Sequence, residues 1–405
     1  MGDIRFIHTA DLHLGSPFSG MKGLKKEQWQ FVKNSTYAAF DRLIDYAIKE
    51  TPDFVLIAGD IYDGEDRSIR AQHRFQQGME RLADAGIPVV LGYGNHDHLS
   101  GQWVRFELPE NVHVFGPDVS QIRLATRNGE AIISGFSYGE RHVKRAMIQD
   151  FLPAEESGAF YIGMLHGSMD GETAHAVYAP FTKQQLLEKN YDYWALGHIH
   201  KREELHHNPS IVYPGNIQGR HKNESGTKGF YDVSLSKSGT SLQFVPVSAV
   251  QFDGLSIACG GIMHMNELID ACRNSVEHHL IEHGPSILQL NLADVDEGAK
   301  ELFEEVTEKE LRETLQEALE ELETFVWLSS IEIELGQEVF EISPLAEKII
   351  AAMDSWQLAD WKNALKDLYR HPKGSRFLEP LSDRETVDIQ AAAIQKIRRN
   401  VRMGE

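Results

Sequence analysis

The chain has 405 residues, of which 41% are hydrophobic and 25% charged, proportions typical of a soluble globular protein with two or three domains. Its formal net charge of -21 at pH 7 is the opposite of the basic composition expected of a self-sufficient DNA-binding domain. There is no apolar stretch long enough to cross a membrane and no early apolar run behind a basic start, so we expect a cytoplasmic protein with no membrane partner.

The first half of the chain alternates short apolar runs, typical of buried strands, with amphipathic segments. The predicted strands are 4–8, 54–58, 89–93, 131–136 and 161–165. A helix is predicted between the first two strands, because Phe40, Leu43 and Ala47 recur at helical spacing, and a second helix covers 70–85. This alternation predicts an α/β layered core with parallel strands.

The density of polar motifs falls near residue 250, after two strand-like runs at 229–235 and 241–247. We therefore predict three domains, covering 1–248, 249–340 and 341–405. The second is predicted to be a small α+β module, and the third a helical region. Two cysteines, Cys259 and Cys272, are too few for a disulfide framework, and we interpret both as buried thiols.

Five short segments rich in His, Asp and Asn each follow an apolar, strand-like run. They are Asp11-Leu12-His13, Gly59-Asp60-Ile61-Tyr62-Asp63, Gly94-Asn95-His96-Asp97, His166 and Gly197-His198-Ile199-His200. In α/β sheets ligands gather at the carboxyl ends of strands, where these segments fall. Two divalent ions need a bridging ligand and several further carboxylate, imidazole and amide ligands, and the five segments contain that set.

The spacing inside the segments supports a metal site. Residues two apart at an extended strand end point to the same side, so Asp11 and His13 can both reach one point, as can His198 and His200. The glycines in three segments let the backbone turn sharply and approach the ions closely. Each segment alone is a weak signal, whereas all five in this order are specific. Thiolates are absent, which argues against a structural zinc site.

The ordered set resembles the calcineurin-like metallophosphoesterases. The opening segment His8-Thr9-Ala10-Asp11-Leu12-His13-Leu14-Gly15 resembles their SbcD-type DNA exonuclease branch. The motif likeness covers about residues 4 to 216, while for the C-terminal part it rests on size and layout. It implies a metallophosphoesterase β-sandwich flanked by helices in domain 1–248, a smaller α+β capping domain, and C-terminal helices for partner docking.

The resemblance also implies a role for each ligand. One ion would be held by Asp11, His13 and His200, the other by Asn95, His166 and His198, and Asp60 would bridge both. The implied ion is manganese (Mn2+), although such oxygen and imidazole ligands also suit iron or zinc.

His96 is the predicted catalytic residue, placed beside the ions, where it would protonate the leaving oxygen or stabilise charge on the phosphate. Asp63 is implied as the partner that orients His96, although related nucleases can carry histidine there. An alternative interpretation makes Asp63 a helix cap or turn residue. The predicted reaction is in-line attack of an activated water on phosphorus, with both ions neutralising phosphate charge.

Several polar residues lie outside the predicted site. Arg220 and His221 follow a Pro-Gly-Asn turn and could face substrate phosphate, but we interpret them as solvated loop residues. His98, His206 and His207 are interpreted as extensions of clusters that already have their ligands. Most of the negative charge lies after residue 250, where 31 acidic and 15 basic residues give -16, against 30 acidic and 25 basic residues, or -5, before it. The acidic run 301–323 is interpreted either as a solvated helix face or as a surface that repels duplex DNA. The basic run 396–402 is interpreted either as a helix end that complements its own dipole or as a docking site for a partner.

We predict a two-metal-dependent phosphodiesterase that acts as a DNA exonuclease or endonuclease in DNA repair or end processing. The alternatives are a metallophosphoesterase of nucleotides, cyclic nucleotides or RNA, and a non-catalytic scaffold subunit. The resemblance implies an SMC-like coiled-coil ATPase partner and a homodimer. The apolar C-terminal candidates for docking, which could equally be buried in the protein's own core, are Leu345, Ile349, Ile350, Trp356 and Trp361.

Overall fold

The computed structural model of this chain describes residues 2–18, 21, 23–64, 68–101, 106–155, 158–170, 178–295, 302–303, 306–335, 348, 351–353, 356–366, 386, 389–390 and 393. The chain divides into two compact units, one comprising Met1–Asp170 and Val177–Gly336 and the other Gly171–Ala176 and Gln337–Glu405. None of the described helices is long and apolar enough to cross a membrane.

The first sheet of the larger unit has six strands in the order β12-β11-β1-β2-β3-β4. They are β1 (Ile4–Thr9), β2 (Phe54–Ala58), β3 (Val89–Gly92), β4 (Val112–Val114), β11 (Gly229–Ser236) and β12 (Gly239–Pro246). Strands β1 to β4 run parallel, and the β11–β12 hairpin adds to β1 in antiparallel orientation. Every residue of β2 and β3 is buried, which explains their unbroken apolar sequence.

The second sheet also has six strands, in the order β5-β6-β7-β8-β10-β9. They are β5 (Ser120–Thr126), β6 (Gly129–Gly135), β7 (Phe160–His166), β8 (Tyr193–Gly197), β9 (Glu203–His207) and β10 (Ser210–Tyr213). Its four inner strands are parallel, and β5 and β9 form antiparallel edges.

The two sheets pack face to face through an apolar core to which both contribute. Phe6 of β1 stacks on Phe54 of β2 at 5.0 Å between ring centroids and meets Tyr193 of β8 edge-on at 5.2 Å. Helices α1 (Lys26–Lys33), α2 (Ser35–Glu50) and α3 (Ile69–Asp84) belong to the first half, and α2 and α3 cover the outer face of the first sheet. Short helix α4 (Lys183–Leu187) and a 3-10 helix at Met147–Asp150 accompany the second sheet. The predicted α/β layered sandwich is confirmed.

Beyond residue 250 the larger unit contains a third sheet, of three parallel strands in the order β13-β14-β15. The elements are β13 (Gln251–Ala258), α5 (Met265–His283), β14 (Ser286–Val295), α6 (Glu308–Leu319) and β15 (Val326–Leu335). Helices and strands are both present as predicted, and they alternate along the chain. Helix α6 ends at Leu319, where its buried stripe of Leu311, Leu315 and Leu319 runs out. Cys259 and Cys272 are free, buried thiols in this core, as predicted.

The division at 248 stays a prediction, because both sides of it belong to the larger unit. In the smaller unit, α7 (Leu358–Ala364) contains Trp361, which is buried against Trp356 at 5.2 Å between ring centroids. Trp356 is 39% exposed. The other predicted docking residues, Leu345, Ile349 and Ile350, lie outside the described residues, as does the basic run 396–402.

Candidate metal centre

All five ligand-bearing segments meet at one edge of the sandwich. The segments that contain Asp11, Asp60 and Asn95 follow β1, β2 and β3 of the first sheet. His166 ends β7 and His198 follows β8 of the second sheet. Parallel strands end at the same edge, so ligands that are far apart in the sequence converge there.

The first cluster consists of Asp11, His13 and His200, each of which offers one ligand atom within 4.8 Å of the others. Asp11 and His13 are buried, and the Nε2 atoms of His13 and His200 lie 3.0 Å apart. This is the set that the family resemblance implies for one ion.

The second cluster consists of Asp60, His166 and His198, with ligand atoms again within 4.8 Å of one another. Asn95 joins it, because its Oδ1 lies 3.0 Å from Nε2 of His166 and 3.2 Å from Nδ1 of His198. Asn95, His166 and His198 are therefore assembled as the sequence predicts for the second ion.

Asp60 belongs to the second cluster and also faces the first. Its Oδ2 is 3.4 Å from Nε2 of His166 in one cluster and 3.9 Å from Nε2 of His13 in the other. That position is the one required of a carboxylate that bridges two ions.

His96 and Asp63 stand at the open side of the clusters. His96 donates its backbone N–H to Oδ1 of Asp60 at 2.9 Å, and its side chain is 31% exposed. Asp63 Oδ1 lies 3.7 Å from Nδ1 of both His96 and His13, longer than a hydrogen bond. The N-cap of helix α3 is Ser68, so the interpretation of Asp63 as a helix cap is wrong.

The backbone at the ligands is strained. Asp11, His13, Asp60 and His198 have φ angles of 52°, 42°, 53° and 98°, in the left-handed region that non-glycine residues rarely adopt. Such residues cost on the order of 1–3 kcal/mol each and persist only where the surroundings hold them. Here the backbone N–H groups of Asp11 and His13 donate to the carbonyls of Gly59 and Asp60, at 3.0 Å each.

Charges inside the centre are strongly coupled. Burial by itself raises the pKa of Asp60, but the imidazoles of His166, His96 and His13 together outweigh it and hold that pKa well below its usual value. Burial likewise lowers the pKa of His166, but the carboxylates of Asp60 and Asp11 and the Ala58 carbonyl together outweigh it and raise that pKa to about 9. Burial raises the pKa of Asp11 to about 6. The second cluster thus stabilises positive charge, which is what a cation supplies.

Comparison with known proteins decides the family. Residues 4–202 match the profile of the family described as calcineurin-like phosphoesterase. The chain is 35% identical over 409 residues to the uncharacterized metallophosphoesterase YhaO of Bacillus subtilis, covering 99% of this chain and 98% of that protein. The chain belongs to the calcineurin-like phosphoesterases. The resemblance inferred from the motifs is confirmed.

More distant relatives of this phosphoesterase are named DNA double-strand break repair protein Mre11. The protein of Thermoplasma acidophilum is 26% identical over 265 residues, which are 60% of this chain and 66% of that protein. That of Saccharolobus solfataricus is 24% identical over 306 residues, which are 71% of this chain and 74% of that protein.

The donor set fits the two divalent ions that calcineurin-like phosphoesterases use. Nδ1 of His200 faces Oε1 of Glu224 at 2.7 Å, so the ring proton belongs on Nδ1 and the Nε2 lone pair points at His13. Two imidazole nitrogens 3.0 Å apart need a proton or a cation between them. Nδ1 of the buried His13 has no hydrogen-bond partner in the described part of the chain.

Arg220 and Glu224 are site residues that the sequence analysis missed. The Arg220 guanidinium is 14% exposed, and its Nη1 lies 3.2 Å from Oδ1 of Asp63, so its interpretation as a solvated residue is wrong. Glu224 is buried and accepts hydrogen bonds from His200, from the Asn216 amide and from the Arg220 backbone N–H. The signal in the sequence was only their position shortly after a Pro-Gly-Asn turn.

Glu224 orients ligand His200 as a carboxylate partner of a metal-binding histidine does. Despite its burial, which by itself raises its pKa, hydrogen bonding to His200 and the charge of Arg220 hold the pKa of Glu224 well below the usual value. It is therefore a carboxylate at neutral pH.

Asp97 holds two ligand loops together. Its Oδ1 accepts the N–H of Gly94 and its Oδ2 the N–H of Ile61, both at 2.6 Å. By contrast, His98 is buried and bonds to Ser100 outside the metal clusters, as predicted.

Proposed function

We propose that this phosphoesterase is a nuclease that cleaves phosphodiester bonds in DNA and acts in DNA repair or end processing. The observation that carries the proposal is the position of Asp60 between two complete ligand clusters, with His96 on their open side. The Mre11 relatives, whose name refers to DNA double-strand break repair, favour DNA among phosphodiesters.

One ion would be held by Asp11, His13 and His200. The other would be held by Asn95, His166 and His198, and Asp60 would contact both ions. We propose Mn2+, because these oxygen and imidazole donors suit it. When bound, the two ions would lower the pKa of water and neutralise phosphate charge.

His96 supplies the proton for the leaving oxygen. Burial lowers the pKa of His96, so the ring is neutral in the chain alone, while the carboxylates of Asp60 and Asp63 act in the opposite direction. An arriving phosphodiester anion adds negative charge beside the ring and favours its protonated form.

Asp63 limits how the His96 ring can be placed. The Asp63 carboxylate is fixed by the Ser16 hydroxyl, which donates to Oδ2 at 2.7 Å, and by Arg220 at Oδ1. A fixed carboxylate 3.7 Å from Nδ1 of His96 favours the ring orientation that turns Nε2 outward.

The net charge of -21 favours a second candidate, hydrolysis of small phosphoesters such as nucleotides or cyclic nucleotides; RNA is a further alternative that this charge argument does not favour. A strongly acidic chain attracts a long polyanion poorly unless local cations compensate. We retain this candidate as the competing outcome of the substrate test.

Cytoplasmic localisation, an SMC-like coiled-coil ATPase partner and a homodimer are further proposals. The ATPase partner and the homodimer rest on the family branch that the opening motif resembles. Co-purification of the full chain with a coiled-coil ATPase from the source cells, and sedimentation of the purified chain, would test them.

A substrate panel tests the proposed function. Linear duplex DNA, single-stranded DNA, RNA and a small phosphodiester are incubated with Mn2+ and with excess chelator. We expect metal-dependent cleavage of DNA that is lost in Asp60→Ala and His96→Ala, while His207→Ala, at an 88% exposed side chain remote from the clusters, retains it. Turnover of the small phosphodiester alone would reject the nuclease.

A further inference from the structure

An aromatic pair lies beside the second ligand cluster. The rings of His142 and Tyr178 stack at 5.6 Å between centroids and 18° between planes. Tyr178 in turn lies 5.1 Å from the ring of ligand His198, tilted by 59°. His142 is exposed and Tyr178 half-buried, so the pair extends from the metal centre to the surface.

The backbone holds this pair in place. The N–H of Ala179 donates to the carbonyl of Val143 at 2.6 Å, which ties the segment after β6 to the segment that contains Tyr178. The N–H of Ser168 donates to the carbonyl of Tyr178 at 3.0 Å, and Ser168 lies two residues after ligand His166. The aromatic surface is therefore organised before any ligand arrives, which reduces the entropic cost of binding.

Basic side chains flank the pair. Arg141, Lys144 and Arg145 are exposed, and with Glu140 they give this short loop a net charge of +2 in a chain of -21. Arg145 is paired with Asp150 at 2.5 Å. An exposed aromatic ring between basic residues is the combination that binds single-stranded nucleic acid, through base stacking and phosphate contacts.

We propose that the His142–Tyr178 pair is a nucleobase platform. The base of a nucleotide near the metal centre stacks on the outward face of His142, backed by Tyr178, and Lys144 contacts a neighbouring phosphate. The inference rests on the proposed nuclease function and deepens it, because a stacked base must leave the duplex. The favoured substrate is then a single-stranded or frayed polynucleotide.

The test compares His142→Ala with His142→Phe, which keeps an aromatic face and removes any charge. His142 contacts no ligand cluster in the described part of the chain, so neither change alters metal binding. Substrates are single-stranded oligodeoxynucleotides with either a natural nucleotide or an abasic residue at successive positions. We expect His142→Ala to raise KM about tenfold on natural DNA, with kcat nearly unchanged, and His142→Phe to stay near wild type.

On the oligonucleotide with the abasic residue at the platform position, wild type and His142→Ala should have equal KM. In a His96→Ala background, the fluorescence of 2-aminopurine at that position should be quenched when His142 is intact and in His142→Phe. It should not be quenched in His142→Ala. Equal KM values for wild type and His142→Ala on natural DNA would overturn the platform alone. Failure of the wild type to cleave any oligonucleotide while it hydrolyses a small phosphodiester would overturn the nuclease function, and the platform with it.

Discussion

The Nε2 atoms of His13 and His200 face each other at 3.0 Å, although Glu224 fixes the ring proton of His200 on the opposite nitrogen. Neighbouring lone pairs repel unless a proton or a cation lies between them. Burial holds the pKa of His13 well below its ordinary value, so the ring is neutral and one of its nitrogens keeps a lone pair that a cation can bind. The pair is therefore arranged for a metal ion.

Metal binding should stabilise the folded chain. At Mn2+ concentrations about a hundredfold above Kd, we expect about 2.7 kcal/mol of added stability, because the folded chain presents the assembled ligands and the unfolded chain does not. Thermal unfolding with Mn2+ and with excess chelator measures it. The same Tm in both conditions would contradict the assembled site.

Glu224→Gln should weaken metal binding about tenfold, because the amide oxygen orients His200 less strongly than a carboxylate. Isothermal titration with Mn2+ measures the affinity. Glu204→Gln is the matched control, since Glu204 also pairs with a histidine, the 88% exposed His207, away from the clusters. Equal weakening in both variants would show that the effect is not specific to His200.

Gly94→Ala should abolish metal binding and hydrolysis. A Cβ at this position would lie 2.3 Å from Oδ1 of Asp60 and 2.8 Å from Nε2 of His166, so both ligands must move. Gly116→Ala has no heavy atom within 4 Å of the added Cβ and should behave as wild type. Bound manganese per chain, measured on purified protein, distinguishes the two, and full occupancy in Gly94→Ala would refute the close approach.

Asp97→Asn should lower the free energy of unfolding by about 1–3 kcal/mol, because one of two buried N–H groups loses its acceptor and meets an amide donor. The two ligand loops that contain Gly94 and Ile61 then separate, and kcat should fall as well. Urea unfolding and steady-state kinetics measure the two effects. Asp118→Asn, at an exposed position, should change neither.

His8 should make the fold sensitive to acid. Its ring is buried between Tyr193 and Leu196, and burial lowers its pKa from 6.5 to about 3. The unfolded chain therefore takes up a proton below pH 6.5 that the folded chain refuses until about pH 3. The contribution of neutral His8 to the free energy of unfolding is full above pH 6.5 and is lost on acidification.

Between pH 7 and pH 5 this single group should cost about 2 kcal/mol of stability. His8→Gln does not titrate and should lack that part of the loss, as urea unfolding of both proteins at the two pH values would show. An equal loss in wild type and variant would mean that His8 titrates alike in the folded and unfolded chains.

The sequence by itself determined seven of the twelve strands of the sandwich and the segments that could hold metal ions. Strands such as β2 were predicted with their observed bounds because a strand buried on both faces is an unbroken apolar run. The segments around Asp11, Asp60 and His198 were recognisable because each is local, a polar pair or triplet directly after such a run. Their assembly at one edge followed from the parallel order of strands.

Only the tertiary structure decided which residues support those ligands. Arg220, Glu224 and the His142–Tyr178 pair lie in irregular loops, where no periodic pattern tells a buried polar residue from a solvated one. Arg220 is held by Asp63, and His142 stacks on Tyr178, through contacts between distant parts of the chain. Loop residues acquire such partners only when the strands beneath them have packed, so their roles are fixed by packing and not by local sequence.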